Sequence, residues 1–211
     1  MKVKVCGLTN AADAAFAAAE GADFLGFVVH PPSPRHCANL AEASREVRDR
    51  AVLVTVVDDA EVIMRMASAA GIRNVQPHVS LEHKKKVVQR LKSEGYFILL
   101  PWIDVKDQLA TPADLYVWES NSKETGVAGG SGRTHAMTFP PPGPFLLAGG
   151  LDADNLRERA ALCPMGARIH LQGFDAASRL ELSPGLKDPL KVRTYIQTAK
   201  SITDEAHHAR D

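Results

Sequence analysis

The feature that most constrains this chain is a regular alternation of short apolar runs with longer segments of helical periodicity. Short apolar runs bounded by turn residues are typical of buried parallel strands, and the segments between them carry the capping and stop signals of helices. Strands are predicted at 2–6, 24–30, 52–57, 74–79, 97–100, 115–119, 145–148 and within 167–174. Helices are predicted at 11–20, 40–50, 58–71, 81–94, 152–163 and 189–201, with a short one at 106–109.

Eight such strands in 211 residues predict an α/β protein and, more narrowly, a single (β/α)8 TIM barrel at the short end of its size range. We expect the barrel to occupy residues 1–202 and a polar C-terminal tail to follow at 203–211. An open, doubly wound sheet has the same alternation and is the main alternative. In both folds, catalytic and binding residues lie at the carboxyl ends of the parallel strands.

Composition excludes several classes of function. Lys plus Arg and Asp plus Glu are both 25, so no global basic surface predicts nucleic-acid binding. No apolar run approaches the roughly 20 residues that span a bilayer, and the N-terminus shows no secretory signal. Three scattered cysteines are too few for a disulfide framework, so the expected setting is cytoplasmic.

Cys6 is the first candidate site residue, because it ends the predicted first strand and precedes Gly7 and a helix cap at Thr9 or Asn10. A thiol at that end of a barrel is a candidate catalytic base, for which a lowered pKa is expected. A buried structural thiol is the alternative.

Gly149 and Gly150 form a glycine pair between the seventh predicted strand and a helix. Backbone amides in such a loop bind anions, and barrels often bind phosphate near strands seven and eight. The pair therefore predicts a phosphate site, with a simple turn into the helix as the alternative.

Five stretches, in order along the chain, together resemble the phosphoribosylanthranilate isomerase family of tryptophan biosynthesis. They are Val5-Cys6-Gly7-Leu8-Thr9, Ser33-Pro34-Arg35 after Gly26-Phe27-Val28, Gly129-Gly130-Ser131-Gly132, Leu147-Ala148-Gly149-Gly150-Leu151 with Asn155, and Ser183-Pro184-Gly185-Leu186-Lys187-Asp188. The resemblance implies an Amadori rearrangement of N-(5-phosphoribosyl)anthranilate, a phosphorylated sugar-anthranilate, into an aminoketose. It also implies a barrel enzyme that requires no cofactor and is a monomer or a homodimer.

The resemblance assigns roles to particular residues. Cys6 matches the family's general base, and Arg35 matches the arginine that contacts the anthranilate end of the substrate. Glu119 stands where the family has its general acid, an aspartate, at the end of strand six. His78 matches the histidine that follows strand four and is expected to bind substrate.

The strand-eight loop departs from the family pattern. Its best register begins at Asp175, which puts Ser178 and Arg179 near the phosphate, with Arg179 in place of a glycine. Glycine allows a close approach of the backbone, whereas arginine can bind phosphate through its own charge.

Other interpretations stay open. His30, His78 and His170 lie in or near strands and permit a metal hydrolase, although no carboxylate–histidine spacing supports one, and no metal is expected. The exchanged acid and Arg179 also leave room for a paralogue that acts on another phosphosugar, or for a phosphosugar-binding barrel without catalysis. Gly129–Gly132 lacks the Lys-Ser/Thr of a P-loop.

Overall fold

The computed structural model describes residues 1–102, 111–119 and 139–202. The predicted helix at 106–109, the loop at 129–132 and the tail at 203–211 lie outside these ranges. Eight parallel strands form a closed barrel in sequence order. They are β1 (Lys2–Cys6), β2 (Phe24–Val28), β3 (Ala51–Thr55), β4 (Asn74–Pro77), β5 (Phe97–Trp102), β6 (Leu115–Trp118), β7 (Phe145–Ala148) and β8 (Leu171–Ala176).

Helices cover the outside of the barrel, and a two-stranded hairpin follows β8. The helices are α1 (Ala11–Ala19), α2 (Leu40–Ala43), α3 (Ala60–Ala70), α4 (Leu81–Ser93), α5 (Leu156–Ala161), α6 (Met165–Arg168) and α7 (Pro189–Ser201). The hairpin consists of β9 (Glu181–Ser183) and β10 (Leu186–Lys187), after a 3-10 turn at Ser178–Leu180. Within the described ranges, no helix is both long enough and apolar enough to cross a membrane.

The pairing of β1 with β8 decides between the two predicted folds. Lys2, Val3, Lys4 and Val5 align in parallel with Gly173, Phe174, Asp175 and Ala176. An open sheet would leave both of these strands without one neighbour, so the (β/α)8 TIM barrel is confirmed and the doubly wound sheet is excluded.

Local capping explains why several helices begin where they do. The Asn10 side chain accepts a hydrogen bond from the Asp13 amide at 2.8 Å, and Asp59 accepts from Glu61 and Val62. These contacts satisfy amide groups that a helix cannot pair internally. Pro77 ends β4, as expected of a residue that has no amide proton to donate.

Several predicted boundaries are wrong by two residues or more, and two of them bear on the rest of the structure. The second helix ends at Ala43 instead of reaching residue 50, because the Ser44 hydroxyl donates back to the Leu40 carbonyl and turns follow. Strand β8 begins only at Leu171, because Ala167 belongs to the short helix α6. The strand then continues to Ala176, beyond the predicted end at residue 174. The second shift moves Asp175 from the predicted loop into the strand.

The barrel has two apolar layers. One lies between strands and helices and includes Val3, Val5 and Phe27. The other fills the barrel interior with residues of the opposite parity, such as Phe24, Val52 and Val54. The alternation follows from the two-residue period of a strand. Lys4 therefore points into the barrel, and it is completely buried.

Gly173 allows β8 to close against β1. A Cβ atom at this position would lie 1.9 Å from the Lys2 carbonyl oxygen. We expect Gly173→Ala to lower the free energy of unfolding by about 3 kcal/mol, the upper range for overpacking, since a backbone atom must move. Thermal and urea unfolding measure the change.

Gly166→Ala is the matched control for Gly173→Ala. No atom lies within 4 Å of a Cβ placed at Gly166, which belongs to helix α6. This variant is expected to be neutral or slightly stabilising. Equal stability of the two variants would contradict the close approach of β8 to β1.

Candidate active site

A pocket opens at the carboxyl ends of the strands, and all eight residues predicted from the sequence line it. These residues are Cys6, Arg35, His78, Glu119, Gly149, Gly150, Ser178 and Arg179. Gln76, Asp175 and Ser33 also contribute polar side chains to its lining. The structure thus brings the predicted residues together in one place, while their individual roles remain predictions.

Cys6 lies beside a buried ion pair. Lys4 precedes it by two residues on the same face of β1, and the Lys4 Nζ atom lies 2.8 Å from Asp175 Oδ2. Burial alone would lower the pKa of Lys4, but the Asp175 carboxylate raises it above its usual range. Lys4 therefore carries a full positive charge next to the thiol.

The expected lowering of the Cys6 pKa is not observed. Burial raises the pKa of the thiol, and the Asp175 carboxylate adds to this effect. Lys4 and Lys187 act in the opposite direction and stabilise the thiolate, but burial outweighs them. The thiol thus keeps its proton near neutral pH, and Lys4 is the main group that favours its release.

Gly26 of β2 leaves room for the Cys6 side chain. A Cβ atom at Gly26 would lie 2.7 Å from Cys6 Sγ and 3.2 Å from its Cα atom. The glycine in the Gly26-Phe27-Val28 motif therefore has a physical reason: any side chain there would displace the thiol.

Glu119 follows β6 directly and faces His78, which follows β4. The Glu119 Oε1 atom lies 3.5 Å from His78 Nδ1, and the Gln76 amide nitrogen lies 3.0 Å from His78 Nε2. Burial, reinforced by the Asp175 charge, raises the pKa of Glu119 to about 8. Burial and the positive charges of Lys4 and Lys84 lower the pKa of His78 to about 4. Near neutral pH, Glu119 is therefore a protonated acid beside a neutral imidazole.

Arg35 is fixed by a carboxylate from the other side of the site. Its Nε and Nη2 atoms each donate to Glu181 at 2.8 Å, a two-point contact that also involves Lys187, whose ammonium donates to Glu181 at 3.0 Å. Burial would raise the pKa of Glu181, but Arg35 and Lys187 together lower it. Glu181 thus joins the loop after β2 to the hairpin after β8.

The Gly149–Gly150 turn is held by the side chain of Asn155. Both glycines have positive φ angles, 94° and 63°, which favour glycine. Asn155 donates from its amide to the Gly150 carbonyl at 2.8 Å and accepts from the Asp152 amide at 3.1 Å. This explains why the asparagine stands at a fixed distance after the glycine pair.

Arg179 lies beside this turn and donates to Asp152 Oδ2 at 2.8 Å. Its side chain is 45% exposed at the pocket rim. Arginine stands here where the family pattern has a glycine, but its side chain does not block the pocket. It adds a positive charge next to the Gly149–Gly150 turn.

Sequence reasoning missed Lys4, Gln76, Asp175 and Glu181 as site residues. Spacing held a signal for two of them, because Lys4 and Gln76 precede Cys6 and His78 by two residues and so share their strand faces. Asp175 gave no such spacing signal, because the predicted strand ended before it, although the predicted register of the strand-eight loop begins at this residue.

The metal alternative finds no geometric support in residues 1–102, 111–119 and 139–202. No group of three or more His, Cys, Asp or Glu residues in these ranges is placed to hold a metal ion. His78 follows β4 at the pocket end of the barrel, whereas His170 precedes β8 at the opposite end.

Comparison with known proteins identifies the family of this chain. The family model described as N-(5'phosphoribosyl)anthranilate (PRA) isomerase matches residues 3–198. The chain belongs to the phosphoribosylanthranilate isomerase family. A family member from Citrifermentans bemidjiense, named N-(5'-phosphoribosyl)anthranilate isomerase, is 33% identical over 216 residues, which cover 95% of this chain and 98% of the relative.

Solved structures of phosphoribosylanthranilate isomerases share the fold. The Thermus thermophilus structure superposes with a TM-score of 0.76 at 24% identity, covering 96% of this chain and all of that one. The Thermotoga maritima structure gives a TM-score of 0.73 at 25% identity with the same coverage.

The raised pKa of Glu119 makes stability depend on pH. The folded protein keeps a proton that the unfolded chain releases above the ordinary value of 4.5. The resulting stability is complete below that value and is lost as the pH rises through about 8. Glu119→Gln does not titrate, so its free energy of unfolding should exceed that of the wild type by a few kcal/mol at alkaline pH, since one pKa unit corresponds to about 1.4 kcal/mol.

Urea unfolding at about pH 5 and about pH 9 measures this difference, which should grow with pH. Glu46→Gln is the control, because Glu46 is an exposed surface carboxylate. A difference between Glu119→Gln and wild type that stays constant with pH would show that Glu119 titrates normally.

Proposed function

We propose that this protein catalyses the Amadori rearrangement of N-(5-phosphoribosyl)anthranilate to 1-(2-carboxyphenylamino)-1-deoxyribulose 5-phosphate, a step of tryptophan biosynthesis. The observation that carries the proposal is the pairing of a buried acid, Glu119, with a thiol, Cys6, in one pocket that also contains a glycine turn and a fixed arginine. Family membership supports the same reaction.

Glu119 is the proposed general acid. The reaction opens the ribose ring, which requires a proton on the ring oxygen while the bond to C1 breaks. A carboxyl group with a pKa of about 8 holds that proton at neutral pH and sits near the optimum for proton transfer. Burial therefore prepares Glu119 for the role that an aspartate has in the family.

Cys6 is the proposed general base that removes the proton from C2 of the opened sugar. The thiol must first release its own proton, and the Lys4 ammonium stabilises the thiolate that forms. Lys4 is held in place by Asp175, so these two residues position and charge the base without contacting the reacting carbon.

The two ends of the substrate have separate anchors in this proposal. Arg35 binds the anthranilate carboxylate through Nη1, because Glu181 occupies Nε and Nη2. The phosphate lies on the backbone of Gly149 and Gly150, with the Ser178 hydroxyl and Arg179 guanidinium beside it. His78 contacts the substrate between these ends. No cofactor takes part in the proposed chemistry.

The proposal also covers setting and assembly. A tryptophan-biosynthesis enzyme with three free cysteines fits a cytoplasmic setting. The protein acts as a monomer or a homodimer, which sedimentation analysis distinguishes.

The role of Cys6 has a direct test. Cys6→Ala should lower kcat by roughly 10²- to 10⁴-fold, the usual contribution of a general base, while folding stays normal. Cys37→Ala removes a buried thiol that does not line the pocket, and this variant should retain activity. Steady-state kinetics on N-(5-phosphoribosyl)anthranilate provide the measurement, and near-normal turnover by Cys6→Ala would overturn the mechanism.

The same assay separates the alternatives. Turnover of a different phosphosugar, with none of the anthranilate substrate, would support a divergent paralogue. Ligand-induced thermal stabilisation without turnover would support a phosphosugar-binding barrel. Rescue of a tryptophan auxotroph that lacks this isomerase supports the proposed function in cells.

Arg179 should affect binding more than chemistry. Arg179→Gly removes a charge from the phosphate end, so KM should rise about tenfold with little change in kcat, as expected when a partly exposed charged hydrogen bond is lost. Asp152→Asn weakens the competing ion pair and should lower KM.

Arg45→Gly is the control for Arg179→Gly, since Arg45 is an exposed arginine that does not line the pocket. Unchanged KM in Arg179→Gly would show that Arg179 does not contact the phosphate.

A further inference from the structure

Three buried oxygen atoms in the pocket have no hydrogen-bond partner among the described residues. They are Gln76 Oε1, Glu119 Oε1 and Asp175 Oδ1. Gln76 Oε1 and Asp175 Oδ1 are acceptors, and the protonated Glu119 carboxyl group can both donate and accept, so together they favour a ligand rich in hydroxyl groups. Glu119 and Asp175 already have roles as the acid and as the partner of Lys4, whereas the carbonyl group of Gln76 has none.

The nitrogen atom of the Gln76 side-chain amide determines how its carbonyl group is oriented. An amide nitrogen only donates, so the His78 Nε2 atom, 3.0 Å away, accepts its hydrogen bond. The proton of the neutral imidazole is then on Nδ1, which faces Glu119 Oε1. With its nitrogen committed to His78, Gln76 turns its oxygen away from the imidazole.

The position of Gln76 in the barrel places the sugar next to it. In a closed barrel of eight strands, β4 lies opposite β8, so Gln76 faces Asp175 across the pocket. Cys6 on β1 lies next to β8, on the Asp175 side, and Glu119 after β6 lies midway between β4 and β8. A sugar whose C2 is beside Cys6 and whose ring oxygen is beside Glu119 therefore lies between Gln76 and Asp175.

We propose that Gln76 is a specificity-determining residue whose Oε1 atom accepts a hydrogen bond from the C3 hydroxyl group of the sugar. The inference rests on the proposed function. During the rearrangement the C2 hydroxyl becomes a ketone and the ring oxygen on C4 takes up a proton. The C3 hydroxyl lies between these centres and remains a donor throughout, so one fixed acceptor serves both substrate and product.

A pair of substrates tests this contact. Wild-type protein should have a kcat/KM for N-(5-phosphoribosyl)anthranilate roughly 10- to 100-fold above that for its 3-deoxy analogue, because the analogue leaves a buried acceptor unpaired. In Gln76→Leu this ratio should collapse to about one. Gln89→Leu, at an exposed position on α4, is the control and should retain the wild-type ratio.

The ratio distinguishes recognition from a general structural role. If Gln76 only supported the fold or His78, Gln76→Leu would slow both substrates equally and the ratio would remain at the wild-type value, which overturns the proposal. Gln76→Glu keeps an oxygen at the site and should preserve most of the preference for the C3 hydroxyl. Loss of the preference in both variants would mean that the amide oxygen is not its origin.

The protonation of His78 gives a readout that does not depend on activity. Nitrogen-15 NMR of the imidazole should show the proton on Nδ1 in the wild type and on Nε2 in Gln76→Glu. A wild-type proton on Nε2 would place the Gln76 carbonyl against His78 and overturn the proposal. Absence of wild-type turnover with N-(5-phosphoribosyl)anthranilate would instead refute the proposed function, so the two failures are distinct.

Discussion

The buried ion pair between Lys4 and Asp175 is the interaction on which the rest of the site depends. The two residues are direct partners where β1 and β8 close the barrel, so one contact joins the ends of the sheet and places a charge beside Cys6. Removing one member of such a pair typically costs about 3–5 kcal/mol, because the other charge remains buried without compensation. Barrel closure and the charge of the base are thus linked.

The charges of the side chains differ between the two sides of the pocket. On the side of β1 and β8, the Lys4–Asp175 ion pair lies beside the thiol. On the side of β4 and β6, a neutral imidazole and a neutral amide surround Glu119, and burial keeps its proton bound. Burial raises the pKa of both groups, and Lys4 is the neighbour that most favours the ionised form of the thiol. The exchange of aspartate for Glu119 is compatible with this division, since burial and not side-chain length raises the pKa.

Several residues of the family motifs hold other residues of the site in position. Gly26 makes room for the thiol, Asn155 holds the Gly149–Gly150 turn, and Lys187 binds the carboxylate that fixes Arg35. These residues stand far apart in the chain, yet each supports a neighbour that faces the pocket. Precise placement of reacting groups depends on such support, since a shift of about 1 Å can cost on the order of a hundredfold in rate.

The sequence by itself determined the eight-stranded barrel, the family and eight of the residues that line the pocket, because strand periodicity and local motifs are written in short stretches. It did not determine the burial of Lys4, the role of Asp175 or the contact between Glu119 and His78. It also suggested a lowered pKa for Cys6, whereas burial raises it. Charge pairing and desolvation arise between strands that are distant in the chain, such as β1 and β8, so only the closed barrel decides them.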